Sequence, residues 1–139
     1  MKTTETKKQD LNYNWYLLDA STKSVGRIAT EAASILLGKH KVNYSPTLNT
    51  GDKVVIINSK KLVLTGKKVT DKMYYRHSGY AGGLKERNAE YYLNMNPNFI
   101  IQTAVSGMLP SNRLAKIRMA NLYIYEGSEH PHQGQINAK

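Results

Sequence analysis

Lys53-Val54-Val55-Ile56-Ile57-Asn58 sets four β-branched residues in an unbroken row. That is the composition of a strand covered on both faces, not of one that alternates between core and water. Upstream, Trp15-Tyr16-Leu17-Leu18-Asp19 is a second short aromatic and aliphatic run that suits a buried strand. Between the two, Val25, Ile28, Ala29, Ala32, Ile35 and Leu36 recur at helical spacing, with Ser24 placed to cap the start and Gly38 to close the end. The spacing predicts a helix over 25–37, with Arg27, Thr30, Glu31 and Ser34 facing outward. Two apolar strands joined by a helix make a βαβ unit, hence parallel strands with a right-handed crossover. The fold class is α/β.

Downstream, Met73 to His77 reads as a third strand, and Gly79, Gly82 and Gly83 break regularity after it. Lys61 to Thr65 stays open between a short strand and one helical turn. A short helix is expected over Asn88 to Asn94. Asn96 and Pro97 then start a longer one, whose apolar face is Ile100, Ile101, Ala104, Val105 and Met108, with Pro110 as its stop. Ser111 to Asn121 reads as a small basic helix, and Leu122 to Tyr125 returns as a fourth strand. Lys39 to Asp52, with Pro46 and Gly51, reads as an extended basic loop. Residues 1–14 are polar and without periodicity and are expected to form a flexible arm. Residues 15–127 form the domain, and 128–139 a polar, irregular tail. A chain of 139 residues accommodates one hydrophobic core.

Lys and Arg number 20 against 10 Asp and Glu, a formal charge of +10. Such an excess repels itself in a compact state and attracts polyanions. A merely solubilising surface mixes its signs, whereas Lys39, Lys41, Lys53, Lys60, Lys61, Lys67, Lys68 and Lys72 gather with only Asp52 and Asp71 among them. No apolar run approaches the ~20 residues of a membrane span, and 1–14 carries no apolar signal core, so a cytoplasmic protein without a membrane partner is expected. The chain has no cysteine, which excludes disulfides, thiol nucleophiles and thiolate zinc sites.

Enzymatic readings find little support. A P-loop needs glycine five positions before Gly66, where Lys61 stands. Gly79, Gly82 and Gly83 have the wrong spacing and setting for a dinucleotide loop. His130 and His132 bracket Pro131 without further ligands in reach, so they read as hydrogen-bonding tail residues for a partner and not as a metal site. His40 and His77 lie among lysines and an arginine and read as hydrogen-bonding rings, without a serine or carboxylate arrangement that composes a triad. No cofactor, metal or small-molecule substrate is expected. A small RNA-processing or nucleotide-binding enzyme on an α/β core is the alternative, and it lacks an acid, base and nucleophile set.

A binding reading requires exposed cations, small residues and flat rings. Thr65-Gly66-Lys67-Lys68 puts two ammoniums beside a glycine that lets backbone amides approach phosphate, although an ordinary turn with solvated lysines has the same composition. In a strand, Tyr74 and Tyr75 point to opposite faces; one packs and the other is free to stack on a base, next to Arg76 and His77. Arg27 is placed to fork across a phosphate or, equally, to pair with Glu31 one turn on. Arg113, Lys116 and Arg118 give the late helix a basic side that a solvated face would also explain. With Lys39, His40, Lys41, Lys72, His130 and His132, these make the candidate nucleic-acid contacts. Met108 and Leu109 read as core, with Gly107 permitting close approach.

Several separate segments also carry a resemblance. Val105-Ser106-Gly107-Met108-Leu109-Pro110, then Leu114, Leu122 to Gly127 and His130-Pro131-His132, resemble the signature of the large-subunit ribosomal protein L-thirteen family. Three further segments fall in the family's order: Trp15 to Ala20 with Gly26-Arg27; Gly38 to Lys41 with Tyr44, Pro46 and Gly51-Asp52; and Thr65 to Lys68 with Tyr74 to His77 and Gly82-Gly83. The resemblance implies a three-layer α/β/α fold with a mainly parallel sheet of about four strands. It also implies a structural role in the large ribosomal subunit, with large-subunit rRNA and neighbouring ribosomal proteins as partners and entry early in assembly. Three positions depart from the family pattern. Ser106 stands where a basic residue is usual, Ala115-Lys116 where Gly-Arg is common, and Asn49 where an acidic residue is frequent.

Overall fold

The computed structural model describes residues 6–137. The chain order is β1 (Trp15–Asp19), α1 (Val25–Leu37), β2 (Lys53–Ile57), α2 (Lys68–Asp71), β3 (Met73–His77), β4 (Leu84–Asn88), α3 (Ala89–Met95), α4 (Pro97–Met108), α5 (Arg113–Ala120), β5 (Leu122–Ile124) and α6 (Gln133–Asn137). β2 is the centre of a parallel sheet in the order β1-β2-β5, with Leu17 opposite Val55 and Val55 opposite Tyr123. The β-branched row is therefore a central strand: Val54, Val55 and Ile56 have no exposed surface. One sheet face, carrying Leu18, Val54, Ile56, Leu122 and Ile124, packs on α1 and α4 through Ile28, Ala29, Ala32, Leu36, Ile100, Ile101 and Val105. The C-terminal segment folds back over the opposite face, where the His132 ring stacks on Trp15 with centroids 4.8 Å apart and lies 4.6 Å from that of Tyr123.

The fold is the α/β class expected, with differences that have physical causes. The parallel sheet has three strands where about four were anticipated, because β3 pairs with β4 in a separate antiparallel ribbon. The C-terminal segment, read as irregular, ends in the short helix α6. Ser24 does not cap α1 with its side chain; the Val25 N–H instead donates to the Val63 carbonyl at 3.2 Å, tying the 63–65 segment to the start of the helix. Gly38 closes α1 as expected, in the left-handed region at φ 79°. Beside it Gly51 passes so near the end of α1 that a Cβ there would lie 1.7 Å from the Leu36 carbonyl oxygen, so the approach requires glycine. Met108, expected in the core, is 42% exposed, and Leu109 takes the buried place one residue on. A Cβ on Gly107 would meet nothing within 4 Å, so packing does not explain this glycine.

Residues 6–14 lie against the domain. The Asn14 N–H donates to Asp52 Oδ1 at 2.8 Å, and the Lys53 N–H donates to the Asn14 carbonyl at 2.9 Å. Residues 1–5 of the anticipated arm and 138–139 of the tail lie outside the described residues.

Candidate nucleic-acid interface

The β3–β4 ribbon leaves the body of the domain, and only its base is held. Tyr74 packs edge-on against Tyr92 and Phe99, with centroids 5.3 and 5.6 Å away, and the Ala89 N–H donates to the Lys72 carbonyl at 2.9 Å. Burial, with Tyr92 beside it, holds the Tyr74 phenol above its ordinary pKa. Beyond Tyr74 both strands are solvated. The register sets Tyr74 opposite Arg87, Tyr75 opposite Glu86, Arg76 opposite Lys85 and His77 opposite Leu84. Strand alternation then sorts the side chains: Arg76, Lys85 and Arg87 share one face with Tyr74, while Tyr75, His77, Leu84 and Glu86 share the other.

The basic face is electrostatically uncompensated. Like charges directly opposite destabilise a ribbon, yet among the described residues no carboxylate pairs with Arg76, Lys85 or Arg87. Arg87 lies over the Tyr91 ring at 4.9 Å, and Lys72 over Tyr74 at 5.6 Å. On the other face Tyr75, 64% exposed, is the free ring of the tyrosine pair, and Tyr74 is the packed one. At the ribbon's base a cleft of 590 Å³ opens between the start of α1, the 63–65 segment, β3 and α4, and Lys68, Lys72, Tyr75 and Gly107 are among its lining. It shares Ser24 and Gly26 with a broader groove that holds Arg27, Met108 and His40. Glu31 pairs with Lys23 at 2.6 Å, not with Arg27, whose guanidinium is exposed. Lys39 and Lys67 are exposed as well.

Other expected contacts are occupied within the molecule. Asp52 is fully buried; its Oδ2 meets His40 Nε2 at 2.8 Å and its Oδ1 meets Lys41 Nζ at 2.5 Å. Lys41 also donates to the Asn12 carbonyl at 2.6 Å. His40 is therefore a hydrogen-bonding ring, as expected, with a buried carboxylate as its partner, and Lys41 is a clamp and not a free cation. Arg118, read as part of a basic side, is 1% exposed, and its Nε and Nη2 find no partner. It lies one turn beyond Leu114, on the inner face of α5, whereas Arg113 and Lys116 are exposed. His132 Nε2 meets the Tyr125 hydroxyl at 2.9 Å, and its own N–H donates to His130 Nδ1 at 3.2 Å, so both rings pack the C-terminal segment onto the sheet. Arg113 and Lys116 are not among the residues that line the cleft.

Lys85 and Arg87 escaped the sequence reading because β4 did. Leu84-Lys85-Glu86-Arg87-Asn88 is solvated on both faces and shows no apolar alternation, and only the glycine-rich turn after a strand signals a return strand. Among the described residues, no cluster of three or more His, Cys, Asp or Glu is suited to a metal ion.

An α/β body that holds out a ribbon with an unpaired cationic face, beside a cleft rimmed by lysines, has the charge distribution of the polyanion-binding class of domain. The comparisons with known proteins narrow this class. Residues 13–131 match the family described as Ribosomal protein L13, and the chain belongs to that family. It is 52% identical over 136 residues to a protein of Pelotomaculum thermopropionicum, covering 97% of this chain and 94% of that one. It is 50% identical over 135 residues to one of Alcanivorax borkumensis, covering 97% and 95%. Identity is 46% over 139 residues to one of Trichlorobacter lovleyi, covering 100% and 98%. Each of the three is a large ribosomal subunit protein uL13.

Proposed function

We propose that the chain is a structural constituent of the large ribosomal subunit in the cytoplasm, not an enzyme, and that it contacts large-subunit rRNA through the ribbon and the lysine-rimmed cleft. Family membership supports the ribosomal role. The single structural observation that favours this surface is the apposition of Arg76 and Lys85, with Arg87 on the same face and, among the described residues, no carboxylate paired with any of them. An RNA backbone supplies the missing charge, and each neutralised phosphate releases counterions. Arg27, Lys67, Lys68 and Lys72 extend the surface. Tyr75 and His77 lie on the ribbon face opposite Arg76, Lys85 and Arg87 and are available to a splayed base. His40, Lys41, Arg118, His130 and His132 act within the fold. Neighbouring ribosomal proteins are further partners, and entry early in assembly suits a rigid body that fixes RNA segments relative to one another.

Sedimentation of tagged protein with and without a high-salt wash tests the role. Retention in the large subunit at one copy per rRNA is expected, and a peak among free proteins would reject it. Replacing Arg76, Lys85 and Arg87 together with Ala should lower the salt slope of rRNA binding by about 2 to 3. An unchanged slope would move the contact surface elsewhere.

A further inference from the structure

Gly107 belongs to the most recognisable motif of the chain, yet neither packing nor backbone conformation requires a glycine there, since a Cβ would point into open space. What a side chain would obstruct is the edge of the 590 Å³ cleft. We propose that this cleft receives one unstacked ribonucleotide, with its base against Met73, Tyr74, Ile100 and Ala104 and its phosphate at Lys68 and Lys72. The proposal rests on the rRNA-binding reading and assigns to this site a mode of contact.

The volume falls in the range of small-ligand sites. The lining divides as a nucleotide does: an apolar wall, hydroxyls from Ser24, Thr65 and Thr103, and two ammoniums, with no carboxylate. The Tyr74 ring is fixed from behind by Tyr92 and Phe99, so it offers a rigid flat surface. Lys68 Nζ is held 3.2 Å from Thr65 Oγ1, which stations its charge at the cleft. Lys72 leads directly into β3, so a strand seated here continues onto the cationic face of the ribbon.

The test uses the full chain and a single-stranded heptaribonucleotide with a central 2-aminopurine, compared with the same oligomer made abasic at that position. Binding should change the 2-aminopurine emission, and the abasic oligomer should bind about tenfold more weakly. In Gly107→Leu the difference between the two oligomers should vanish. Its thermal midpoint should match or exceed that of the native chain, since the new side chain enters open space and favours the helix. Equal affinity of the native chain for both oligomers would overturn the proposal without touching the ribosomal assignment, as would a difference that survives Gly107→Leu. Failure to bind either oligomer, together with absence from the large subunit, would overturn the rRNA reading and this inference with it.

Discussion

Asp52→Asn is expected to be among the most damaging conservative substitutions in this chain, and the reason can be worked from its surroundings. The carboxylate is fully buried and accepts from the Asn14 N–H at 2.8 Å, from His40 Nε2 at 2.8 Å and from Lys41 Nζ at 2.5 Å. The amide removes the negative charge and turns one acceptor into a donor facing donors. Lys41 is left 14% exposed with the Asn12 carbonyl as its remaining acceptor. Breaking a buried pair by removing one partner costs about 3–5 kcal/mol. Because Lys41 keeps that carbonyl and His40 keeps some contact with water, the lower end applies, about 3 kcal/mol. For a chain of 139 residues this corresponds to a fall of about 10 °C in Tm. Urea unfolding supplies the energy, and a double-mutant cycle with Lys41→Met should show coupling of at least about 1 kcal/mol. Hydrogen exchange at the Asn14 amide should accelerate beyond the global change, because its acceptor is weakened directly. A variant within 2 °C of the native Tm, or a cycle with no coupling, would refute the reasoning. Lys41→Met should leave the salt slope of RNA binding untouched.

The two glycines should part company: Gly51→Ala drives a Cβ to 1.7 Å from the Leu36 carbonyl and should cost at least about 3 kcal/mol in urea unfolding, whereas Gly107→Ala should be neutral or gain up to about 1 kcal/mol of helix propensity. Arg118→Met should be neutral or stabilising by about 1–4 kcal/mol, since it replaces a buried unpaired cation with an apolar side chain of similar length; a salt slope lower by about 1 would show instead that Arg118 reaches phosphate. Asp19 is held below its ordinary carboxylate pKa by the backbone N–H and then the hydroxyl of Ser21, at 2.8 and 2.7 Å. A depressed folded pKa gives stability that is present above the unfolded value near 3.8 and lost as pH falls through the folded value. Asp19→Asn should therefore flatten the acid limb of a stability profile below pH ~4, and an unaltered limb would show that the Ser21 bonds do not favour the ionised form.

How far the sequence could be read depended on whether each element is buried. β1, α1, β2, α4 and β5 pack on the core and show it in apolar period, so they were legible. β4 carries its strand character only in its pairing, which a solvated five-residue segment does not advertise. Arg118 was read by residue type along α5, although the helical period places it over Leu114 and Ala115 and 200° from Lys116, which points it inward. The fate of His40, Lys41 and His132 depends on loop closures, with Asp52 reached across 12 and 11 residues of irregular chain and Trp15 reached from the far end of the domain. Local pattern holds no record of these.

Those closures explain why a charge of +10 does not spread its function evenly. Lys41 was drawn inward to a buried carboxylate and, with it, binds residues 12–14 to the sheet, so its charge is spent on the fold. Among the described residues no carboxylate pairs with the cations of the ribbon, and Glu86 lies on its other face. A two-stranded ribbon is marginal alone, and this one sets Arg76 against Lys85, so the free protein bears a local cost that the proposed rRNA contact would relieve. Its anchorage explains how the cost is tolerated: the Tyr74–Tyr92–Phe99 cluster and the Ala89-to-Lys72 hydrogen bond fasten the base to α3 and α4, which in turn pack on the sheet. The hydrophobic core and the cationic face are thus parts of one device, in which burial energy gathered around β2 holds in place an arrangement of charge that would not form without it.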